Sequence, residues 1–248
     1  MPYMSNYTII AFEGLDCSFK ETNFKAFTAH LRDMRDSRGF NIVTESFPRY
    51  GHPAAYHLEQ WLGNHYDRDI LKAHPAATDS LYSIDRFDYW YHKPNYEEEN
   101  DPTDYRWIDI INGKVGADKF TYFVFDRYNL SNTIYNAIYP GIDIRDFTFD
   151  SDMFAIPNPN IIVWMRIRSF DVLCELVSQK RNKDANELDT EYLRRVWERS
   201  EDIIKSDIFD KLGIKLIVVD CLDEDLNIKS RDEIREYIWK QVCGAVKY

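Results

Sequence analysis

Five short apolar runs, rich in β-branched and aromatic residues, narrow the folds open to this 248-residue chain. They occupy residues 7–12 (YTIIAF), 41–44 (NIVT), 121–125 (TYFVF), 161–165 (IIVWM) and 215–219 (KLIVV). None alternates strictly between apolar and polar positions, so each reads as a strand covered on both faces, the condition of a parallel sheet. Between them, residues 19–34, 53–62, 169–177, 189–205 and 231–242 repeat apolar side chains every three or four positions, the pattern of amphipathic helices. This alternation predicts an α/β fold of three layers: a five-stranded parallel sheet flanked by helices and joined by right-handed crossovers. Residues 1–248 read as one domain. The stretch 91–119, rich in Pro, Asn, Asp and Glu with a short apolar piece at 107–111, reads as an insertion on it.

Composition bounds the partners. Hydrophobic residues make up 44%, enough for a packed core, and the 17 Tyr, 15 Phe and 6 Trp supply much of its area. A formal net charge of −11 argues against nucleic acid or an anionic membrane surface as partner. It leaves room for phosphate ligands, which a few cations and backbone N–H groups can hold locally. No stretch near the N-terminus reads as a signal peptide, and no apolar run approaches the ~20 residues that span a bilayer. Cys17, Cys174, Cys221 and Cys243 are scattered, without a C-x-x-C pair, so a reducing cytoplasm is the expected compartment.

The first run leads into Glu13-Gly14-Leu15-Asp16-Cys17-Ser18-Phe19-Lys20-Glu21-Thr22. A buried strand, a turn and an amphipathic helix are the setting of a phosphate-binding loop, G-x-x-x-x-G-K-[ST]. Gly lets backbone N–H groups wrap phosphates, Lys neutralises the outer phosphates, and a hydroxyl stands beside Mg²⁺. Gly14 and Lys20 have the right spacing. Phe19 stands where the second Gly belongs, restricting the positive-φ geometry that Gly permits, and Glu21 stands where the hydroxyl belongs. A carboxylate at Glu21 could ligate the cation or repel ATP.

With its flanks, the loop resembles the opening of the thymidylate kinases, F-E-G-x-D-x-x-G-K-x-T, here Phe12-Glu13-Gly14-Leu15-Asp16 followed by Lys20-Glu21-Thr22. Three further blocks follow in that family's order. Phe47-Pro48-Arg49-Tyr50-Gly51 is similar to F-P-R-x-G, Tyr82 and Arg86 stand one helical turn apart, and Asp126-Arg127-Tyr128-Asn129-Leu130-Ser131-Asn132-Thr133-Ile134-Tyr135 resembles D-R-Y-x-x-S-x-x-x-Y. The last block follows the third strand, whose carboxyl end is where α/β sites lie.

The resemblance implies a P-loop kinase carrying dTMP to dTDP with ATP and Mg²⁺, dimeric as that family is. Gly14, Ser18, Lys20, Glu21 and Thr22 would hold ATP, and Glu21 or Asp126 the metal. Asp16 would meet the sugar 3′-hydroxyl. Phe47 belongs to the acceptor pocket, and Arg49 and Arg127 would clamp the acceptor phosphate. Tyr82 would stack on the pyrimidine, Arg86 would bond a ring carbonyl, Asn132 would read the base amide edge, and Tyr135 would crowd the 2′ position. Asp126 would lie near the metal or orient Arg127. Some members carry a catalytic arginine in the phosphate loop; here that position is Cys17, so the charge is expected from a lid around 178–188, from Arg181 or its rivals Lys180 and Lys183. Two other readings stay open. One is a relative with a decayed donor site, acting as nucleotide binder or scaffold; the other is a kinase for a 5-modified dUMP.

Overall fold

The computed structural model describes residues 6–67, 74–92, 106–113, 119–138, 147–180 and 189–245. Five parallel strands form one sheet in the order β2-β3-β1-β4-β5: β1 (Tyr7–Gly14), β2 (Asn41–Ser46), β3 (Thr121–Asp126), β4 (Ile161–Arg166) and β5 (Lys215–Asp220). The expected α/β architecture is the observed one. Each strand runs one or two residues beyond its apolar run, ending on Gly14, Ser46, Asp126, Arg166 or Asp220. Backbone pairing carries the chain past the hydrophobic signal and delivers polar side chains to the carboxyl edge.

The helices are α1 (Lys20–Arg38), α2 (Tyr56–Leu62, after a 3₁₀ turn at Pro53–Ala55), α3 (Pro75–Tyr91), α4 (Trp107–Ile111) and α5 (Leu130–Asn136). They continue with α6 (Phe149–Phe154), α7 (Phe170–Gln179), α8 (Thr190–Ile203), α9 (Ile208–Lys211) and α10 (Arg231–Ala245). Helix α1 overruns its expected end because Gly39 takes a left-handed φ of 71° and its N–H caps the Arg35 carbonyl at 2.8 Å. Among the described residues no helix is long and apolar enough to cross a membrane.

Side-chain alternation along β1 divides the core. Ile10 and Phe12 face a cluster with Phe24 and Phe27 of α1 and Ile234 and Ile238 of α10. Ile9 and Ala11 face a cluster with Tyr89 and Trp90 of α3, Ile108 and Ile110 of α4, and Phe123 and Phe125 of β3. Both faces are thus covered, which is why the strand runs lack polar alternation. Of the expected insertion, helix α4 is described; it packs Ile108 and Ile110 into the second cluster, and Trp107 lies edge-on to Phe123 at 5.9 Å. The connection leaving β1 runs to β2 on one side of the sheet and the one leaving its neighbour β3 runs to β4 on the other, so a crevice opens between the carboxyl ends of β1 and β3.

Candidate functional site

The chain leaves β1 at Gly14, whose φ is 153°. A Cβ there would lie 2.6 Å from the Ser18 hydroxyl and 2.7 Å from the Met165 carbonyl, so only glycine fits. The turn then passes through two left-handed residues, Cys17 and Phe19, both with φ 63°. Phe19 therefore adopts the backbone that the expected glycine would supply, at a cost of about 1–2 kcal/mol. Its ring is half-buried against the first core cluster. Residue type restricts this geometry without preventing it.

Lys20 opens α1 and is 7% exposed. Burial and the Arg127 guanidinium pull its pKa down to about 8, against the opposing pull of Asp16, Asp126 and Glu13. Asp16 ion-pairs with Arg127, and the Tyr135 hydroxyl donates to Asp16 Oδ2 at 3.2 Å while accepting from the Asp16 N–H at 3.2 Å. Burial raises the Asp16 pKa, but Arg127, Lys20 and Lys180 outweigh it and hold the carboxyl at about 2. Arg127 is left-handed, φ 63°, with its N–H on the Phe12 carbonyl at 2.8 Å. Asp126 closes the group: burial raises its pKa, while Lys20 and Arg127 act against that rise. Asp16, Lys20, Asp126, Arg127 and Tyr135, far apart in sequence, thus share one electrostatic neighbourhood.

Two buried atoms here have no hydrogen-bond partner among the described residues, Asp126 Oδ1 and Ser18 Oγ. A hard carboxylate oxygen and a hydroxyl left unpaired beside Lys20 suit a magnesium–phosphate ligand. No three His, Cys, Asp or Glu side chains among the described residues gather to hold a metal. Glu21 points elsewhere: its carboxylate is 66% exposed and paired with Lys25 one turn along α1. Thr22 is exposed on the same turn.

The residues expected to meet an acceptor are more heavily tied than the motifs imply. Arg49 donates Nε to Asp85 Oδ1 at 2.8 Å, and Nη2 to the Asp85 carbonyl at 2.8 Å and Asp88 Oδ2 at 2.7 Å. Arg86, 1% exposed, pairs with Asp150 of α6 and donates to the Tyr128 carbonyl at 3.1 Å and Ser83 Oγ at 3.4 Å. Phe47 is core, edge-on to Tyr89 and Phe125. Tyr82 is half-buried on α3, and Asn132 is bonded to Asp79. Arg181 and Lys183 lie outside the described residues. Lys180, the last described residue before them, contributes charge at Asp16.

Several carboxylates in these networks carry no motif role. Glu13, fully buried, accepts from the N–H groups of Tyr128 (2.9 Å), Leu130 (3.0 Å) and Ser131 (3.1 Å) and from the Ser131 hydroxyl. It clasps the segment after Arg127 to the strand that feeds the phosphate loop. Burial pushes its pKa up, and these donors together with Arg127 pull against that. At the ends of β4 and β5, Arg166 forks onto Glu201 at 2.8 and 2.5 Å, and Arg168 meets Asp220 at 3.3 Å. Asp85 and Asp88, spaced i and i+3 on a helix opposite an arginine, were the one sequence signal available. The partners of Glu13, Asp150 and Glu201 lie far away in sequence and left none.

No protein-family model matches the sequence, and no curated protein matches it. Solved structures do. The chain is similar to the thymidylate kinase from Candida albicans, with a TM-score of 0.60 and 15% identity over 96% of this chain and 91% of that one. It is similar to the thymidylate kinase from Ehrlichia chaffeensis, with a TM-score of 0.59 and 16% identity over 95% of this chain and 98% of that one. The five-stranded parallel sheet and its flanking helices are the fold these kinases share.

Proposed function

We propose that this chain is a nucleoside monophosphate kinase, transferring the γ-phosphoryl group of ATP to a deoxypyrimidine monophosphate, dTMP first among them. The observation that carries this is the meeting of a glycine-dependent turn, a buried Lys20 and the Asp16–Arg127 pair where β1 and β3 end. Phosphoryl transfer asks little covalent chemistry of a protein; it asks for alignment and for positive charge where negative charge develops. Backbone N–H groups from Gly14 to Lys20 wrap the donor phosphates, and Lys20 neutralises the outer ones. Arg127 and Arg49 align the acceptor phosphate, and Arg181 supplies further positive charge to the migrating group. Asp126 and Ser18 would hold Mg²⁺, which would supply positive charge at the phosphates. Tyr135 excludes a 2′-hydroxyl beside Asp16. The acceptor, the homodimer and the cytoplasmic setting belong to the same reading.

The test is dTMP- and ATP-dependent ADP formation with an acceptor panel that includes 5-substituted dUMP, for which the same clamp would serve. Lys20→Ala should lose at least ~100-fold in rate if Lys20 supplies ~3 kcal/mol to the transition state. No turnover with any deoxynucleotide would sink the kinase. Phe19 in the glycine position and Glu21 turned onto Lys25 favour a second reading, a binder with a decayed donor site. Such a protein is stabilised against heat by dTMP and not by Mg·ATP, whereas a kinase responds to both.

A further inference from the structure

Two carboxylates of α3, three residues apart, hold Arg49, and they hold it differently. Asp85 is 1% exposed and grips both ends of the residue: Oδ2 accepts the Arg49 backbone N–H at 2.9 Å and Oδ1 accepts Nε at 2.8 Å. Its main-chain carbonyl takes Nη2 at 2.8 Å. The Tyr89 ring, with its centre 5.7 Å from the guanidinium carbon, adds a face to the same seat. Asp88 contributes a single bond, from Nη2 to Oδ2 at 2.7 Å, and its side chain is 25% exposed. It also has imidazole neighbours: His92 Nδ1 lies 3.5 Å from Oδ1 and His52 Nδ1 lies 3.6 Å from Oδ2. A half-exposed carboxylate with one bond can turn away at small cost, whereas a buried one with two bonds cannot.

A phosphate oxygen and a carboxylate oxygen ask the same of a guanidinium, a charge and a lone pair in line with an N–H. We propose that Asp88 is a placeholder, occupying on Arg49 the position of an acceptor phosphate oxygen, while Asp85 is the positioning residue that orients Arg49 for either. This rests on the reading in which Arg49 meets the acceptor phosphate. In the empty protein Asp88 keeps the guanidinium neutralised. An arriving phosphate takes over the bond to Nη2, Asp88 turns toward the histidines, and Asp85 keeps its hold throughout. Asp88 thereby sets how tightly the acceptor binds, and Asp85 sets whether Arg49 faces it. The two carboxylates act on acceptor affinity in opposite directions.

The experiment measures KM for dTMP at saturating Mg·ATP, and the dissociation constant of dTMP by calorimetry, in the wild-type chain, Asp88→Asn and Asp85→Asn. Asp88→Asn removes a competing charge at constant size. It should bind dTMP about three- to tenfold more tightly, with kcat within about twofold of wild type. Asp85→Asn should bind it at least ~10-fold more weakly, because its amide turns a donor toward either the Arg49 N–H or Nε. A merely structural role would weaken both variants, and a general loss of negative charge would tighten both. In an Arg49→Gln background Asp88→Asn should change affinity by no more than about twofold, since a placeholder acts only through Arg49. That arm decides the matter even where Asp85→Asn does not fold. Turnover of dTMP with an unchanged or raised KM in Asp88→Asn, or the same gain without Arg49, overturns this inference and leaves the kinase standing. If no chain turns over dTMP, the kinase reading fails and the dissociation constants decide the role of Asp88. A chain that binds no dTMP at all ends both.

Discussion

Replacing Glu13 by glutamine keeps the shape of a fully buried side chain and removes half of its accepting capacity. In the native structure one carboxylate oxygen takes the N–H groups of Tyr128 and Leu130, at 2.9 and 3.0 Å. The other takes the Ser131 N–H at 3.1 Å and the Ser131 hydroxyl. The amide oxygen of Glu13→Gln can serve the first pair. Its NH₂ group then faces the Ser131 N–H, donor against donor, while the hydroxyl can rotate to accept. One buried backbone donor is left unpaired, at about 1–3 kcal/mol, and the surviving bonds lose their charge assistance, about 1 kcal/mol more in sum. Relief from burying a charge returns part of this, because burial disfavours the ionised form of Glu13. The net expectation is a loss of about 2 kcal/mol by urea unfolding, with an unchanged m-value, and a melting temperature lower by about 4–8 °C. A loss below about 1 kcal/mol would refute the claim that this carboxylate holds the Tyr128–Ser131 backbone. Acceptor KM should rise more than ATP KM in the same variant, since the clasped segment precedes Asn132.

Two further outcomes follow from the phosphate loop. Phe19→Gly should be more stable than Phe19→Ala by about 1 kcal/mol in chemical denaturation, reversing the usual order of these residues, because position 19 is left-handed; equal stabilities would mean the turn is not left-handed in solution. Lys20 has its pKa depressed to about 8, so in the free protein it loses its proton as pH rises through that value, and ATP binding must restore it. Mg·ATP affinity measured by calorimetry should therefore be flat below pH 8 and weaken above it, by up to tenfold per pH unit. For stability the sign is opposite. Because the unfolded lysine keeps its proton to near its ordinary value, the cost of burying the charge is full below pH 8 and is relieved between pH 8 and 10.5. An affinity that holds to pH 10 would show that Lys20 stays charged without ligand.

The sheet is legible in the sequence because strands buried on both faces leave unbroken apolar runs, and all five lie where those runs are. Short helices are less so: α5, α6 and α9 span 7, 6 and 4 residues, too few to establish a period. At the site, Lys20, Asp16, Arg127, Asp126 and Tyr135 are readable as a motif series, and the structure gathers them. Arg86 is readable as an arginine but not as a bound one, since Asp150 becomes its partner only through packing of α3 and α6, whereas for Arg49 the spacing of Asp85 and Asp88 on α3 was a signal. Phe19 shows the limit of residue type as a guide to backbone. A preference of about 1–2 kcal/mol is overridden when the flanking strand and helix dictate the turn.

Three of the arginines offered to a nucleotide already hold an internal counter-ion: Asp16 on Arg127, Asp85 and Asp88 on Arg49, Asp150 on Arg86. If the chain is the proposed kinase, nucleotide entry exchanges one anion for another rather than filling a positive hole. A bare phosphate, with no sugar or base to compensate for the displaced carboxylate, gains little from such a trade. On that reading the resting pairs favour a whole nucleotide over its charged fragment.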